Sequence, residues 1–398
     1  MFINEQKRLG LYFHIPFCIS KCAYCDFNSS VPSDPEIITR YIDAMIAHME
    51  SYRAGAASYE PDTVFIGGGT PTSIPPEELF RLIRAIKRNF RLTKNAEFSI
   101  EANPATVTYP TLLRLRRLGV NRISMGLQSA HENELKALSR KHTRKDFARS
   151  FKMARDARFD NINVDLMFGI PYQTYDSLMH TLTYLTRVGP DHISLYDLKI
   201  EPGTAFYRRY DEIAPLLPDD DMEADMYIGA VEFLAKCGYM QYEISNFARP
   251  GHMCMHNLKY WNCDEYLGFG VSAHSYFNGS RFSFTSDIKR YIEGVSGMTS
   301  RIRITDECET VEERERVGEY IMLRFRLTAG LDTREFMRRF GLSFDALYGS
   351  KCAKFIDNGF MTHSNGVYAL TPSGMFISNY ILSDILECED FGRYYFGS

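Results

Sequence analysis

Residues 11–28 read LYFHIPFCISKCAYCDFN: an apolar, strand-like run, a proline, then three cysteines spaced C-x3-C-x2-C with an aromatic, Tyr24, just before the third. Soft thiolates select iron–sulfur clusters or zinc. A structural zinc site closes with four protein ligands, and a [4Fe–4S] cluster held by four cysteines has no vacancy either. Three thiolates on one tight loop, Cys18, Cys22 and Cys25, leave one iron of such a cluster open to a small molecule. The same residues admit two other readings: zinc with His14 as fourth ligand, or three neighbouring thiols with no metal.

Outward from this loop, short apolar runs alternate with amphipathic ones as far as residue 200. The apolar runs are 11–15, 62–66, 97–101, 122–127, 162–169 and 192–198, rich in Ile, Val, Leu, Phe or Tyr and bounded by Gly, Pro, Asn or Asp. Helical periodicity covers 36–53, 76–90, 109–119 and 174–189, and several of these end at Gly or Asn. Six β–α repeats predict a parallel sheet with right-handed crossovers; alternation alone leaves closed barrel, partial barrel and open sheet undecided. Polar residues gather at the carboxyl ends of the strands, where such sheets keep their chemistry. The cysteine loop follows strand one and GGGTPT (67–72) strand two; Glu101 ends strand three, Gln128 follows strand four, Asp165 lies in strand five and Lys199 follows strand six.

After residue 200 the pattern changes. An acid-capped helix is predicted over 217–238, a strand-like run over 239–247 and a motif-dense segment over 252–276. The stretch 308–388 carries three helical patterns, a strand pair near 360–371 and a last helix, an arrangement like a winged helix. Cys237, Cys308, Cys352 and Cys388 fall at apolar positions of helical patterns and are expected as buried thiols; Cys263 sits in the motif segment.

The C-x3-C-x-aromatic-C loop after the first strand, with GGGTP after the second, resembles the radical S-adenosylmethionine (SAM) superfamily. The resemblance implies an α/β fold, a partial (β/α)6 barrel, with a smaller C-terminal α+β winged-helix-like domain. It implies that SAM chelates the open iron through its amino and carboxylate groups. One electron from the reduced cluster then cleaves the sulfonium to a 5′-deoxyadenosyl radical. Glycines suit the second loop because backbone can approach a ligand with no Cβ in the way.

The similarity runs through LYFHIPFC, FIGGGTPT, SIEANP, RISMGLQS, NVDLMFGIPYQT and LYDLKIEPGT. It resembles the HemN/HemW branch, which holds the oxygen-independent coproporphyrinogen III oxidases and the haem chaperones. Carried over position by position, SAM contacts fall on Tyr12, Tyr24, Gly68, Gly69, Thr70, Glu101, Gln128, Arg140 and Asp165. Carboxylates suit an ammonium and ribose hydroxyls, and Arg suits a carboxylate. The oxidases carry a further cysteine two residues after the third, where this chain has Phe27. Of the two positions matching the oxidase's second SAM, one carries Lys199 and the other His274, which changes the chemistry there. HNLKYWNCDEYLGFGVSAHSY (256–276) resembles the H-N-x-x-Y-W signature of the chaperones and includes the only tryptophan, Trp261. The resemblance therefore implies a protein that binds haem as cargo and passes it to an acceptor protein, with an electron donor for the cluster. The alternative is coproporphyrinogen oxidation or another radical modification of a porphyrin. His256 is the expected axial haem ligand, with Cys254 as thiolate or covalent link, and His252 and His274 nearby in sequence.

Composition bounds the rest. The chain has 398 residues, 45% hydrophobic and 24% charged, with a net charge of -4. No apolar run nears the ~18 residues that span a membrane. The polar N-terminus reads as neither signal nor transit peptide, so a cytoplasmic protein is expected. Nine cysteines, with three in one short loop, read as a metal site and scattered thiols in a reducing compartment. Residues 301–398 hold 12 Lys and Arg against 15 Asp and Glu, which argues against a nucleic-acid partner. The expected division is a core barrel over 1–240, a motif-bearing extension over 241–307 and a C-terminal domain over 308–398.

Overall fold

The computed structural model describes residues 7–296 and 303–386. Contacts divide the chain into two units, Met1–Pro218 with Asp264–Thr310, and Asp219–Cys263 with Val311–Ser398.

The first unit contains all six expected strands: β1 (Lys7–Ile15), β2 (Tyr59–Gly68), β3 (Glu97–Ala102), β4 (Arg122–Gln128), β5 (Asn161–Phe168) and β6 (His192–Asp197). Each pairs in parallel with the next. On its other side β1 pairs in parallel with Tyr266–Phe269, and the antiparallel strands His274–Phe277, Ser280–Phe284 and Thr305–Thr310 continue the sheet. The sheet is thus extended past β1 and does not close, as in a partial barrel. Helices α1 (Glu36–Tyr52), α2 (Pro76–Asn89), α3 (Tyr109–Leu118), α4 (Glu132–Ala137), α5 (Arg144–Asp156) and α6 (Tyr175–Val188) form the crossovers. Their ends follow local chemistry. Thr143 and Asp146 form a capping box on α5, Thr174 and Ser177 one on α6, and Gly119 and Gly189 stop α3 and α6 in left-handed conformation.

Successive strand residues point to opposite faces. One face is apolar: Leu11, Phe13, Val64, Ile66, Ile100, Ile123, Met125, Val164, Leu166 and Ile193 are fully buried. The other is polar. The registers set Glu101 beside Ser124, Ser124 beside Asn163 and Asn163 beside His192, a polar row across four strands. Gly126, Asp165 and Ser194 form the next row toward the carboxyl ends.

In the second unit, Asp219 caps the helix Asp220–Lys236 by accepting from Met222 N. A short antiparallel pair, Met240–Gln241 with Asn246–Ala248, precedes the helix Met255–Trp261. The C-terminal part packs helices Glu313–Arg324, Thr333–Phe340 and Phe344–Asp357 with a three-stranded antiparallel sheet of Leu331–Asp332, Val367–Leu370 and Met361–Ser364.

Two thiol expectations are corrected. Cys237 is exposed, because its helix stops one residue earlier and leaves it as the cap. Cys308 is exposed too: its segment is a strand with solvent on both faces, not a helix. Cys352 is buried as expected, and Cys388 lies outside the described residues.

Candidate cluster and SAM site

The loop after β1 is tied down before it offers any thiol. Phe17 is buried, Cys18 N–H donates to Ser30 O at 2.9 Å and Ser30 N–H to Pro16 O at 2.8 Å. The GGGTPT turn is bonded to it: Gly69 N–H reaches Ile15 O at 2.8 Å and Thr70 N–H reaches Phe17 O at 2.8 Å. The contact tolerates no side chain at Gly69, where a Cβ would lie 2.7 Å from Phe17 O and 3.0 Å from Cys18 Sγ. Farther along the loop, Ala23 N–H donates to Leu138 O at 3.2 Å and Ala23 O accepts from Phe206 N–H at 2.9 Å.

Cys18, Cys22 and Cys25 are half-buried and line one cavity of 280 Å³. Burial pushes the thiols of Cys18 and Cys25 up. Among the described residues, no three His, Cys, Asp or Glu side chains converge on a single ion. Zinc needs thiolates converging at ~2.3 Å, whereas a cubane is held from its corners. His14, the fourth ligand zinc would need, is occupied: Nδ1 meets Tyr12 Oη at 2.9 Å and Nε2 meets Asn28 O at 2.9 Å. The donor set therefore fits the cluster and not the zinc alternative.

Gly68, Gly69, Thr70, Tyr24, Glu101, Gln128, Arg140 and Asp165 line the same cavity. Tyr12 does not; it stands behind the wall, bonded to His14 and packed against Phe65. Arg140 is not a solvated helix-end charge. Its Nη1 donates to Cys22 Sγ at 3.4 Å and Nη2 to Gly126 O at 2.8 Å and to Asn103 Oδ1, while its buried Nε has no partner. A buried guanidinium with a spare donor beside a thiolate loop fits an incoming carboxylate. Gln128 holds a left-handed backbone, φ 69°, at a register shift between β4 and β5.

Two carboxyl groups form the floor. Asp165 accepts from Ser124 Oγ at 2.8 Å and from Asn163 Nδ2 at 2.7 Å. Glu101 accepts from Gly68 N–H at 3.0 Å, and burial, with the charge of Asp165 second, pushes its carboxyl up to about 8. The one cation that acts on it, Arg122, is outweighed by burial and Asp165, and a further cation is what SAM carries.

Asn103, Ser124 and Asn163 were not singled out in the sequence. For two of them the signal existed: Asn103 lies two residues past Glu101 and Asn163 two before Asp165, at the same alternation; Ser124 is found only through the register that sets it beside Glu101.

In the second unit the signature helix is well packed. His256 is 1% exposed, with Nε2 2.9 Å from Tyr260 Oη, and Cys254 is fully buried. Trp261 lies under the Arg326 guanidinium, 4.5 Å from the ring centre, and Arg326 pairs with buried Glu243 at 3.8 Å. His252 is half-buried with Nδ1 3.0 Å from Pro250 O. In the first unit, His274 is exposed, Lys199 pairs with Asp197, and Phe27, 58% exposed, lines the cluster cavity with Tyr196.

Fold and site together define a radical SAM protein. Residues 12–185 match the radical SAM superfamily and residues 311–377 the HemN C-terminal domain. The heme chaperone HemW of Bacillus subtilis is 36% identical over 94% of this chain and 98% of its own, and that of Escherichia coli 34% identical over 94% and 97%. The structure of coproporphyrinogen III oxidase (HemN) from Escherichia coli, a radical SAM enzyme, covers 96% of this chain and 90% of its own with a TM-score of 0.84 at 23% identity, a likeness of fold. The chain belongs to the HemW family of the radical SAM superfamily.

Proposed function

We propose that this protein is a haem chaperone that binds haem and transfers it to an acceptor protein. The observation that carries the reading is the extent of the likeness: identity of 36% to a protein named for that function runs over 94% of the chain, far beyond the superfamily segment 12–185. Phe27 at the cavity mouth, where the oxidases carry another cysteine, agrees with it. Cys18, Cys22 and Cys25 would hold the cluster, and Tyr24, Gly68, Gly69, Thr70, Glu101, Gln128, Arg140 and Asp165 would hold SAM. Bound there, the reduced cluster would supply one electron to the sulfonium. Tyr12 would act from behind, by orienting His14.

Haem is assigned to the signature segment, with His256 as axial ligand and Cys254 as its neighbour. Since His256 is buried and bonded to Tyr260, ligation requires that hydrogen bond to break and the helix Met255–Trp261 to open. The acceptor protein, the electron donor and a cytoplasmic site of action belong to the same proposal. Among the described residues no helix is long and apolar enough to cross a membrane.

The test is a paired assay on anaerobically reconstituted protein. Haem titration followed by absorbance is expected to give a saturable complex that His256→Ala weakens without loss of cluster iron. In parallel, SAM, a strong reductant and coproporphyrinogen III are expected to yield no decarboxylated porphyrin by mass spectrometry. Loss of two carboxyl groups from the porphyrin would make the protein an oxidase, and unchanged haem affinity in the variant would move the ligand elsewhere.

A further inference from the structure

The two carboxyl groups on the cavity floor are not equivalent. Beneath Asp165 lies a buried network in which Asn163 Nδ2 donates to both Asp165 Oδ1 (2.7 Å) and Ser124 Oγ (2.8 Å), while Ser124 Oγ–H donates to Asp165 Oδ2 (2.8 Å). Asn163 Oδ1 in turn accepts from His192 Nδ1–H at 2.6 Å and from Ser194 Oγ at 3.2 Å. Asp165 thus receives two side-chain donors, each held by a further partner.

Glu101 shares the floor but not the donors. It accepts the Gly68 N–H at 3.0 Å, and its carboxyl group is pressed against Gly67, where a Cβ would lie 3.0 Å from the carboxyl carbon. The charged or titratable groups that face it are Tyr12 from β1, Arg122 from β4 and Asp165 from β5. Arg122 favours its charge, but burial and Asp165 oppose it more strongly. Arg140, which lines the cavity, gives its Nη donors to Cys22, Gly126 and Asn103. With one backbone donor set against burial and the neighbouring Asp165 carboxyl, Glu101 is the group placed to hold a proton.

We propose that Glu101 carries a proton while the cavity is empty and releases it to solvent when SAM, a sulfonium cation, binds, so that this carboxyl couples SAM affinity to pH. In the balance, carboxylic acid and sulfonium become a carboxylate–cation pair and one proton in solution; a proton that the SAM amine loses on chelating iron is lost equally in a variant without this carboxyl. The elevated position of Glu101, about 8, sets the range in which the coupling is felt. Below it each SAM bound must displace a proton; above it the carboxylate is already present. The inference rests on the SAM reading of the cavity and adds its regulation.

The experiment is SAM binding from pH 6.5 to 9 on reconstituted protein, with cluster iron and absorbance measured at every pH. Calorimetry in two buffers of different ionisation enthalpy counts the protons released. Wild-type affinity should weaken towards about tenfold per pH unit below ~8 and level off above it, relative to Glu101→Gln, which mimics the protonated form. The wild type should also release about one proton more than the variant. Parallel pH profiles and equal proton counts would overturn the proposal. Asp165→Asn supplies a check that does not need the Gln variant to fold: removing the neighbouring charge should move the wild-type midpoint to lower pH, and an unmoved midpoint counts against the coupling. No SAM binding at any pH with an intact cluster would instead overturn the reading of the cavity itself.

Discussion

Gly69 is the residue on which two sequence motifs meet. Its backbone sits where a Cβ would lie 2.7 Å from Phe17 O, so the turn after β2 can bond the cysteine loop only without a side chain. Gly69→Ala is therefore expected to push the two loops apart. Reconstituted protein should hold less iron per chain while its far-ultraviolet circular dichroism stays native. Full iron content in the variant would mean that the loops adapt. The cluster cysteines, the glycines and both floor carboxyls are residues whose type alone betrays them, because each is costly or unusual in an apolar strand or tight turn. Arg140 shows the opposite case. An arginine after LKALS looks like any solvated charge, and only the approach of its guanidinium to Cys22 and Gly126 gives it a role.

At the scale of elements, the segment between α4 and α5 positions that guanidinium. Ser139 has φ 60°, and three residues beyond Arg140 the chain is locked by the capping box in which Thr143 accepts from Asp146 N–H and Asp146 accepts from Thr143 N–H. Thr143→Ala is expected to cost about 1 kcal/mol of stability. Because the cap anchors the strained approach to Arg140, SAM affinity should fall as well. Denaturant unfolding and SAM titration test the two effects separately, and lost stability with unchanged affinity would detach the cap from the site. The helix Met255–Trp261 is an element whose sequence signature reads clearly as a motif but poorly as geometry. The i, i+4 spacing in HNLKYW lets His256 meet Tyr260 once the segment is a helix, but nothing in it forecasts that Trp261 carries Arg326 on its face.

For the whole molecule, stability is tied to pH through His142, which accepts no charge easily. Burial, then the charge of Arg140, pushes its imidazole down to about 4 from an ordinary 6.5, while Nε2 meets Leu127 O at 3.2 Å. Between those values the unfolded chain binds the proton and the folded chain does not. This group therefore makes stability fall as pH drops through that window, by at most about 1.4 kcal/mol per pH unit. Chemical denaturation at intervals from pH 7 to 4.5 should give a shallower decline for His142→Gln than for wild type; equal slopes would assign the acid sensitivity to other groups. The two units also differ in what they ask of the chain. The first is nearly continuous through Pro218 and borrows Asp264–Thr310, whereas the second joins Asp219–Cys263 to Val311–Ser398.

What the sequence by itself determined is what repeats or what is chemically unusual. Short apolar runs of branched and aromatic residues, bounded by turn formers, located six strands to within a few residues at their ends, because a buried parallel strand leaves few alternatives for such a run. Three thiols on eight residues pointed to a cluster with an open iron, because three thiolates on one loop are one ligand short of closing a site; the rival zinc reading turned on His14. Tertiary structure alone decided the matters that depend on neighbours distant along the chain. The strand Tyr266–Phe269 extends the sheet beside β1, since pairing of an edge is a question of which backbone arrives there and not of local pattern. Asn163, Ser124 and His192 became one network because strand register brings them into a row, and register is invisible in any one strand. The unequal surroundings of Glu101 and Asp165 were decided there too, since burial and the donors that reach each carboxyl are set by the neighbouring strands.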